Sequence, residues 1–333
     1  MKIVLTCSVI PFSGSGLPWF FESLGVMLGQ AGHDVEKLTL PYTPNVPDVL
    51  DQRLALRLLD VSSRSDMLIA IGIPAYLLQH PRKVVWLNAG AEHTAGQRHG
   101  RSQAEILAAA RLADDRALRE AKQLFATSDS LANQWRAAGF PKPSVLYPAL
   151  FHEQESRPEP SQGTFLFCHS LRPEFRPELA LQSLAQTLEP VRLVMGGCSD
   201  NPDLTREIRK SIEQLGLQDR VQLSPETLSN DLLGNCLASL YLPAQEVCYS
   251  SFLLKEICAR RCVITTMDSG AANELLGRDP EGLTLAPEPS AIAFAVDRVF
   301  KDRRFAARRA DTAYTIIRDL NIGASQVLER LLS

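Results

Sequence analysis

Two stretches of the chain carry residue types that could hold a ligand. At the first strand-to-helix turn stands Pro11-Phe12-Ser13-Gly14-Ser15-Gly16. Gly14 and Gly16 let the backbone pass close to a ligand and leave helix amides free to meet an anion, and the same residues also suit a plain tight turn. The second stretch runs from Tyr241 to Leu276, YLPAQEVCYSSFLLKEICARRCVITTMDSGAANELL. A strand ends at Pro243, an acidic loop with small residues follows, and a helix carries Glu256. After a strand containing Val263, Ile264 and Thr265, Asp268-Ser269-Gly270 turns into a helix bearing Glu274. No Gly-x-Ser-x-Gly elbow, P-loop or Asp-x-Asp pair appears, so hydrolase and metal-dependent transferase chemistry lack support.

The elements that must position these residues follow from periodicity. Short β-branched runs alternate with longer amphipathic stretches, the signature of βα units on a parallel sheet. Strands are expected at 2–8, 34–40, 66–71, 83–88, 123–126 and 144–147, then at 164–168, 192–196, 220–223, 238–242, 262–266 and 282–286. Between them, helices are expected at 19–30, 101–122, 178–186, 202–215, 251–259, 271–276 and from 290 onward. The polar stretch Phe151 to Gly163 carries two prolines and no apolar period, so it reads as a linker.

Composition is that of an ordinary globular chain: 333 residues, 45% hydrophobic and 22% charged, a natural length for two domains. A net charge of -3 gives no overall basic field for nucleic acid, and at most peripheral contact with a membrane is expected. The seven cysteines lie mostly in apolar runs and read as reduced core thiols of a cytoplasmic protein. Cys258 and Cys262 lack the nearby His or further Cys of a zinc site. The basic segment 301–309, KDRRFAARR, reads as the solvated face of a helix with Phe305 on its other side.

The 241–276 segment resembles the nucleotide-sugar region of the family 4 retaining glycosyltransferases, two-domain enzymes of the GT-B fold. A proline strand end, a Glu-x7-Glu element, an "EAMACGKPVV"-like helix and strand, and a "DSGG..E" turn occur there in the same order. Gly32-His33-Asp34-Val35 matches the "GHEV" entry to the second strand. Arg57-Leu58-Leu59-Asp60, His80 to Leu87, and Val145-Leu146-Tyr147-Pro148 are similar to landmarks of the bacterial polysaccharide branch. The likeness extends over nearly the whole chain. It implies an α/β architecture of two Rossmann-like, doubly wound parallel-sheet domains facing a central cleft. The expected parts are an acceptor-side domain over 1–152, the linker at 153–163, a nucleotide-sugar domain over 164–305, and helices over 306–333 returning to the first domain.

The resemblance also implies site roles. Glu256 takes the place of the Glu that binds the ribose hydroxyls. Glu246 is the candidate for the Glu that holds the donor sugar, although it stands ten residues before Glu256 and strict spacing points to Cys248. Ser250, Ser251 and the helix they open would offer amides to a diphosphate, and Ser269-Gly270 a second small turn; Glu274 is a further donor-side candidate. Two departures stand out. In the loop after the first strand of the second domain, Ser170 and Phe175 occupy positions where the family carries Arg and Lys on the diphosphate. Arg172 and Arg176 are the nearby substitutes, or lie on a solvated face. After Trp86-Leu87 the branch carries a His-rich stretch at the reaction centre, whereas this chain reads Asn88-Ala89-Gly90-Ala91-Glu92-His93. His93 and Asn88 are the acceptor-side candidates. A retaining reaction of this class needs no strongly basic side chain, since the leaving phosphate takes the acceptor proton.

The expected activity is therefore metal-independent, retaining transfer of a hexose from a UDP- or GDP-sugar, as donor substrate and with no cofactor, to a glycan or protein acceptor. The alternative is a catalytically inactive homologue that binds a glycan or a partner.

Overall fold

The computed structural model describes residues 1–10, 19–43, 48–90, 101–149, 163–167, 171–196, 202–224, 235–244, 251–320 and 323–333, without the side chains of 19, 101–104 and 251. The chain divides into two compact units, Met1–Phe151 with Ile322–Ser333, and His152–Asn321.

The first unit is built on a parallel sheet of β1 (Lys2–Val9), β2 (Asp34–Pro41), β3 (Met67–Ile71), β4 (Lys83–Leu87), β5 (Gln123–Ala126) and β6 (Ser144–Val145), in the order β2-β1-β3-β4-β5-β6. The central strands MLIAI and KVVWL are buried along their whole length, as parallel strands covered on both faces must be. Its helices are α1 (Trp19–Gln30), α2 (Val49–Arg57), α3 (Arg101–Arg119) and α4 (Asp129–Ala137). Phe20, Phe21, Leu24 and Trp86 belong to one core layer, and Leu56, Tyr76, Leu118 and Trp135 to the other. The N-cap Ser128 starts α4 by accepting the Leu131 amide at 3.1 Å.

Three charged side chains are buried in the described part of this unit. Arg53 of α2 donates from Nε to Asp114 of α3 at 3.0 and 3.1 Å, and both side chains are fully buried. Lys83 donates from Nζ to the carbonyls of Tyr76 at 2.8 Å and Leu78 at 3.4 Å.

The second unit repeats the pattern. Its strands are β7 (Thr164–Phe167), β8 (Arg192–Met195), β9 (Val221–Leu223), β10 (Ala238–Tyr241), β11 (Cys262–Thr266) and β12 (Thr284–Leu285), in the order β12-β11-β10-β7-β8-β9. All neighbours pair in parallel. The helices are α5 (Pro177–Ala185), α6 (Pro202–Gln214), α7 (Ser251–Cys258), α8 (Ala271–Leu276), α9 (Pro289–Lys301) and α10 (Arg303–Asp319). Phe165, Leu181, Leu193, Leu240, Ile264, Ile292, Val296 and Phe305 share one core. Two parallel sheets with flanking helices are the architecture that the βα alternation led us to expect.

The last helices part company. α10 buries Phe305 and Ala306 in the second unit's core and ties Arg309 to Asp279 at 2.8 Å. α11 (Ala324–Leu332) lays Val327 and Leu331 into the first unit, where Arg82 Nη2 donates to the Leu332 carbonyl at 2.7 Å. In the basic segment Arg303, Arg304 and Arg308 are exposed while Phe305 is buried, giving α10 a solvated cationic face. No helix among the described residues is long and apolar enough to cross a membrane.

Candidate functional site

Strand order decides where a ligand meets a doubly wound sheet. In the second unit β8 and β9 lie on one side of β7 while β10, β11 and β12 extend from the other. The winding therefore reverses between β7 and β10, and the crevice beyond the carboxyl ends of those strands is the favoured binding position. The turns after β7, β10 and β11 end at this edge.

Arg176 ties these turns together. It follows a short 3-10 turn, Pro173–Phe175, and adopts left-handed backbone angles, φ 55° and ψ 52°, an arrangement that costs a non-glycine residue about 1–2 kcal/mol. Its side chain donates from Nε to the Leu242 carbonyl at 2.8 Å, and from Nη2 to the Pro243 carbonyl and to Thr266 Oγ1. A two-armed pair with Asp268 completes the set, at 3.0 Å from Nη1 and 2.9 Å from Nη2. The amide of Ala244 donates to the Glu174 carbonyl at 2.8 Å, closing the same junction from the backbone.

The electrostatic consequence is local neutrality. Partial burial pushes the Asp268 carboxyl up, but the hydrogen bond and charge of Arg176, with help from Thr266, outweigh that and hold it below the usual carboxylate range. Arg172 is half exposed and lies 3.4 Å from Glu174. Two cations thus stand beside two carboxylates. Phe175 packs partly buried against the second unit's core.

The Asp268-Ser269-Gly270 turn is equally built in. Ser269 is buried; its hydroxyl pairs with Thr266 Oγ1 at 2.6 Å and donates to the Pro243 carbonyl at 3.0 Å. Gly270 takes φ 50° and ψ -119° at the start of α8, a backbone state that a side chain would strain. Glu274 lies half-buried one turn into α8, its amide bonded to the Gly270 carbonyl at 3.0 Å.

Glu256 sits on α7 and is 1% exposed. It and Arg261, also buried, both act on the Cys236 thiol, which places the three in one interior neighbourhood. Burial pushes that thiol up to about 12, Arg261 opposing and Glu256 adding to the rise. Sequence pattern did not indicate Arg261 or Cys236 as neighbours of Glu256, because one precedes β10 and the other precedes β11. Asp268 was likewise read as a turn residue, with no hint of its pairing across 92 positions with Arg176.

In the first unit the winding reverses between β1 and β3. Beside that point Gly72 follows β3 with φ 73°, and a Cβ there would lie 2.5 Å from Asn88 Oδ1. Asn88 is therefore held against the β3 exit, and Trp135 Nε1 fixes the next residue by donating to the Ala89 carbonyl at 2.9 Å. Gly14, Gly16, His93, Glu246 and Ser250 lie outside the described residues, as does the side chain of Ser251, and so does the expected linker up to Gln162.

Comparison with solved structures shows the same GT-B fold over the whole chain. HepE from Anabaena, solved with UDP, matches with a TM-score of 0.70 at 16% identity, covering 100% of this chain and 98% of that one. A glycosyltransferase from Rickettsia africae matches at 0.73 and 14% identity, over 99% and 97%. WaaG, a glycosyltransferase involved in lipopolysaccharide biosynthesis, matches at 0.71 and 17% identity, over 99% of each chain. No family model matches the sequence, and no curated protein matches it.

Proposed function

We propose that the protein is a retaining, metal-independent glycosyltransferase that moves a hexose from a UDP- or GDP-sugar to a glycan or protein acceptor. The observation that carries this reading is the whole-chain match to two glycosyltransferase structures and to HepE, solved with UDP and with UDP and glucose. The position of the 172–176, 242–244 and 266–270 turns at the β7/β10 reversal supports a donor seat on the second unit. Within it Glu256 takes the ribose hydroxyls, Glu246 the sugar, and Ser250, Ser251, Ser269 and Gly270 line the diphosphate. Arg172 supplies the accessible positive charge, Arg176 its one remaining N–H, and Glu274 a further polar contact. On the first unit we assign Gly14 and Gly16 to the donor side, and His93 and Asn88 to the acceptor.

In the reaction the anomeric carbon loses its bond to the diphosphate as the acceptor oxygen bonds to the same face. The acceptor proton passes to the departing phosphate oxygen. The role left to the protein is to stabilise charge on the leaving group and to exclude water.

One observation favours the second reading, a non-catalytic homologue: Arg176 already directs most of its donors to the protein itself. Titration with UDP, GDP and their sugars, followed by assay for slow donor hydrolysis, separates the two. Binding with hydrolysis is the expected result. Binding of a nucleotide diphosphate without turnover would favour the homologue, and failure of every nucleotide diphosphate to bind would refute the proposal.

A further inference from the structure

A second site of a different kind lies at the opposite edge of the first unit's sheet. Here β5 and β6 begin, α3 ends, and α11 ends. Together they enclose an open cleft of about 700 Å³ whose lining includes Arg119, Lys122, Gln123, Lys142, Ser144 and Arg330, with no Asp or Glu side chain. That volume falls within the range of small-molecule sites, roughly 300–1,000 Å³.

Charge bookkeeping shows which of these cations have another purpose. The C-termini of α3 and α11 each present about half a negative charge. Arg119, in the last turn of α3, offsets the first and is also held by Asp115 at 2.8 Å. Arg330, in the last turn of α11, offsets the second and lies over the Phe125 ring, 5.4 Å from its centroid. Lys122 and Lys142 remain. Neither makes an ion pair among the described residues, and Lys142, between Pro141 and Pro143 ahead of β6, has no helix end to serve. Hydrogen-bonding groups of both kinds accompany them: Gln123 Nε2 donates to Ser333 Oγ at 2.8 Å, while the buried Gln123 Oε1 has no hydrogen-bond partner. Two ammonium groups beside a guanidinium, in a cleft with no Asp or Glu side chain and only the Ser333 carboxylate to oppose them, leave net positive charge for an anionic ligand.

We propose that this cleft binds a phosphate-bearing ligand, a diphosphate or phosphate ester from solution or a lipid headgroup. The site is separate from the strand ends where the sugar donor is placed, and does not depend on that assignment. Lys122 and Lys142 supply the charge that holds the anion, and Arg330 and Ser144, also in the lining, complete the shell.

Titration of the full-length protein with inorganic pyrophosphate tests the site. Saturable binding is expected, weakened about tenfold or more in Lys142→Gln and in Lys142→Gln/Arg330→Gln, since charge-assisted bonds are the ones lost. Lys210→Gln, on an exposed face of α6, should leave it unchanged. Lys142→Gln alone keeps the experiment meaningful if loss of the Arg330–Phe125 contact impairs folding. Flotation with phosphatidylglycerol vesicles identifies the source: binding competed by pyrophosphate points to a headgroup, and pyrophosphate binding without flotation points to a soluble phosphate. Absence of saturable binding to either probe, or pyrophosphate binding that Lys142→Gln leaves as strong as in the wild type, would overturn the proposal whatever the outcome with UDP.

Discussion

Replacing Arg176 separates two meanings of one side chain, a clamp within the second unit or a hand held out to a ligand. In Arg176→Ala the Leu242 carbonyl loses its guanidinium partner, while the Pro243 carbonyl keeps Ser269 Oγ at 3.0 Å. Hydrogen bonds from a charged donor are worth about 1.5–3 kcal/mol each. The pair with Asp268, which is 44% exposed, is worth only about 0–1 kcal/mol after screening. Because one of the two carbonyls stays satisfied, a loss of about 2–4 kcal/mol follows, not the full sum. Arg176→Gly loses the same contacts but relieves the left-handed backbone, recovering about 1 kcal/mol. The expected order of stability is wild type, then glycine, then alanine. The assay is equilibrium unfolding in urea followed by two signals. All three tryptophans, Trp19, Trp86 and Trp135, fall in the first unit, so their fluorescence reports that unit, whereas far-UV circular dichroism reports both. The shift belongs in the dichroism transition. An alanine variant within about 0.5 kcal/mol of wild type, the range of ordinary surface changes, would refute the clamp.

Three further outcomes follow from buried groups and one glycine. Asp114→Asn leaves the fully buried Arg53 charge without its partner and should cost the first unit about 3–5 kcal/mol by tryptophan fluorescence; Arg53→Met/Asp114→Leu should recover most of that loss, and equal damage in the double variant would contradict the account. Burial, with Arg57 adding and Glu120 opposing, holds the Lys83 ammonium down to about 8, against 10.5 unfolded. Between those pH values the unfolded chain binds a proton that the native one lacks, so this group makes stability rise with pH, by up to about 3 kcal/mol. The thiols of Cys7, Cys236 and Cys262, pushed up to about 12 by burial, act in the opposite sense from pH 9 upward. The stability of wild type minus that of Lys83→Met cancels the thiols and should climb from pH 8 to 10.5; a flat difference would show that Lys83 does not titrate as argued. Gly72→Ala should cost about 1–2 kcal/mol, because its φ is 73° and its new Cβ meets Asn88 Oδ1. Adding Asn88→Ala should remove the clash and leave only the backbone cost, as urea unfolding of both variants can check.

How much of this was visible beforehand depended on the range over which each feature acts. The sheets were legible because each strand announces itself locally: β3 as MLIAI and β4 as KVVWL are apolar runs that only a strand covered on both faces explains. Two edge strands, β6 and β12, were read too long. β6 was expected over 144–147 and spans Ser144–Val145; β12 was expected over 282–286 and spans Thr284–Leu285. An edge strand has one neighbour, so pairing ends where that neighbour ends, and no side-chain pattern records this.

The site divides along the same line. The Asp268-Ser269-Gly270 turn could be recognised from its small residues, since a positive φ at Gly270 and a buried Ser269 hydroxyl are needs of that turn itself. The partnership of Asp268 with Arg176 could not, because 92 residues separate them and either residue alone resembles a solvated charge. What brings them together is the winding reversal, which sets β10 between β7 and β11 and so places the turn after β7 within reach of the turn after β11. The same geometry constrains how an anion could be held there. A guanidinium shared among two carbonyls, a hydroxyl and a carboxylate is rigid, and rigidity helps a binding site only when the group still has donors to offer. Arg176 has one N–H left, so in the proposed donor seat the grip on a diphosphate must come chiefly from Arg172 and from backbone amides of the neighbouring turns.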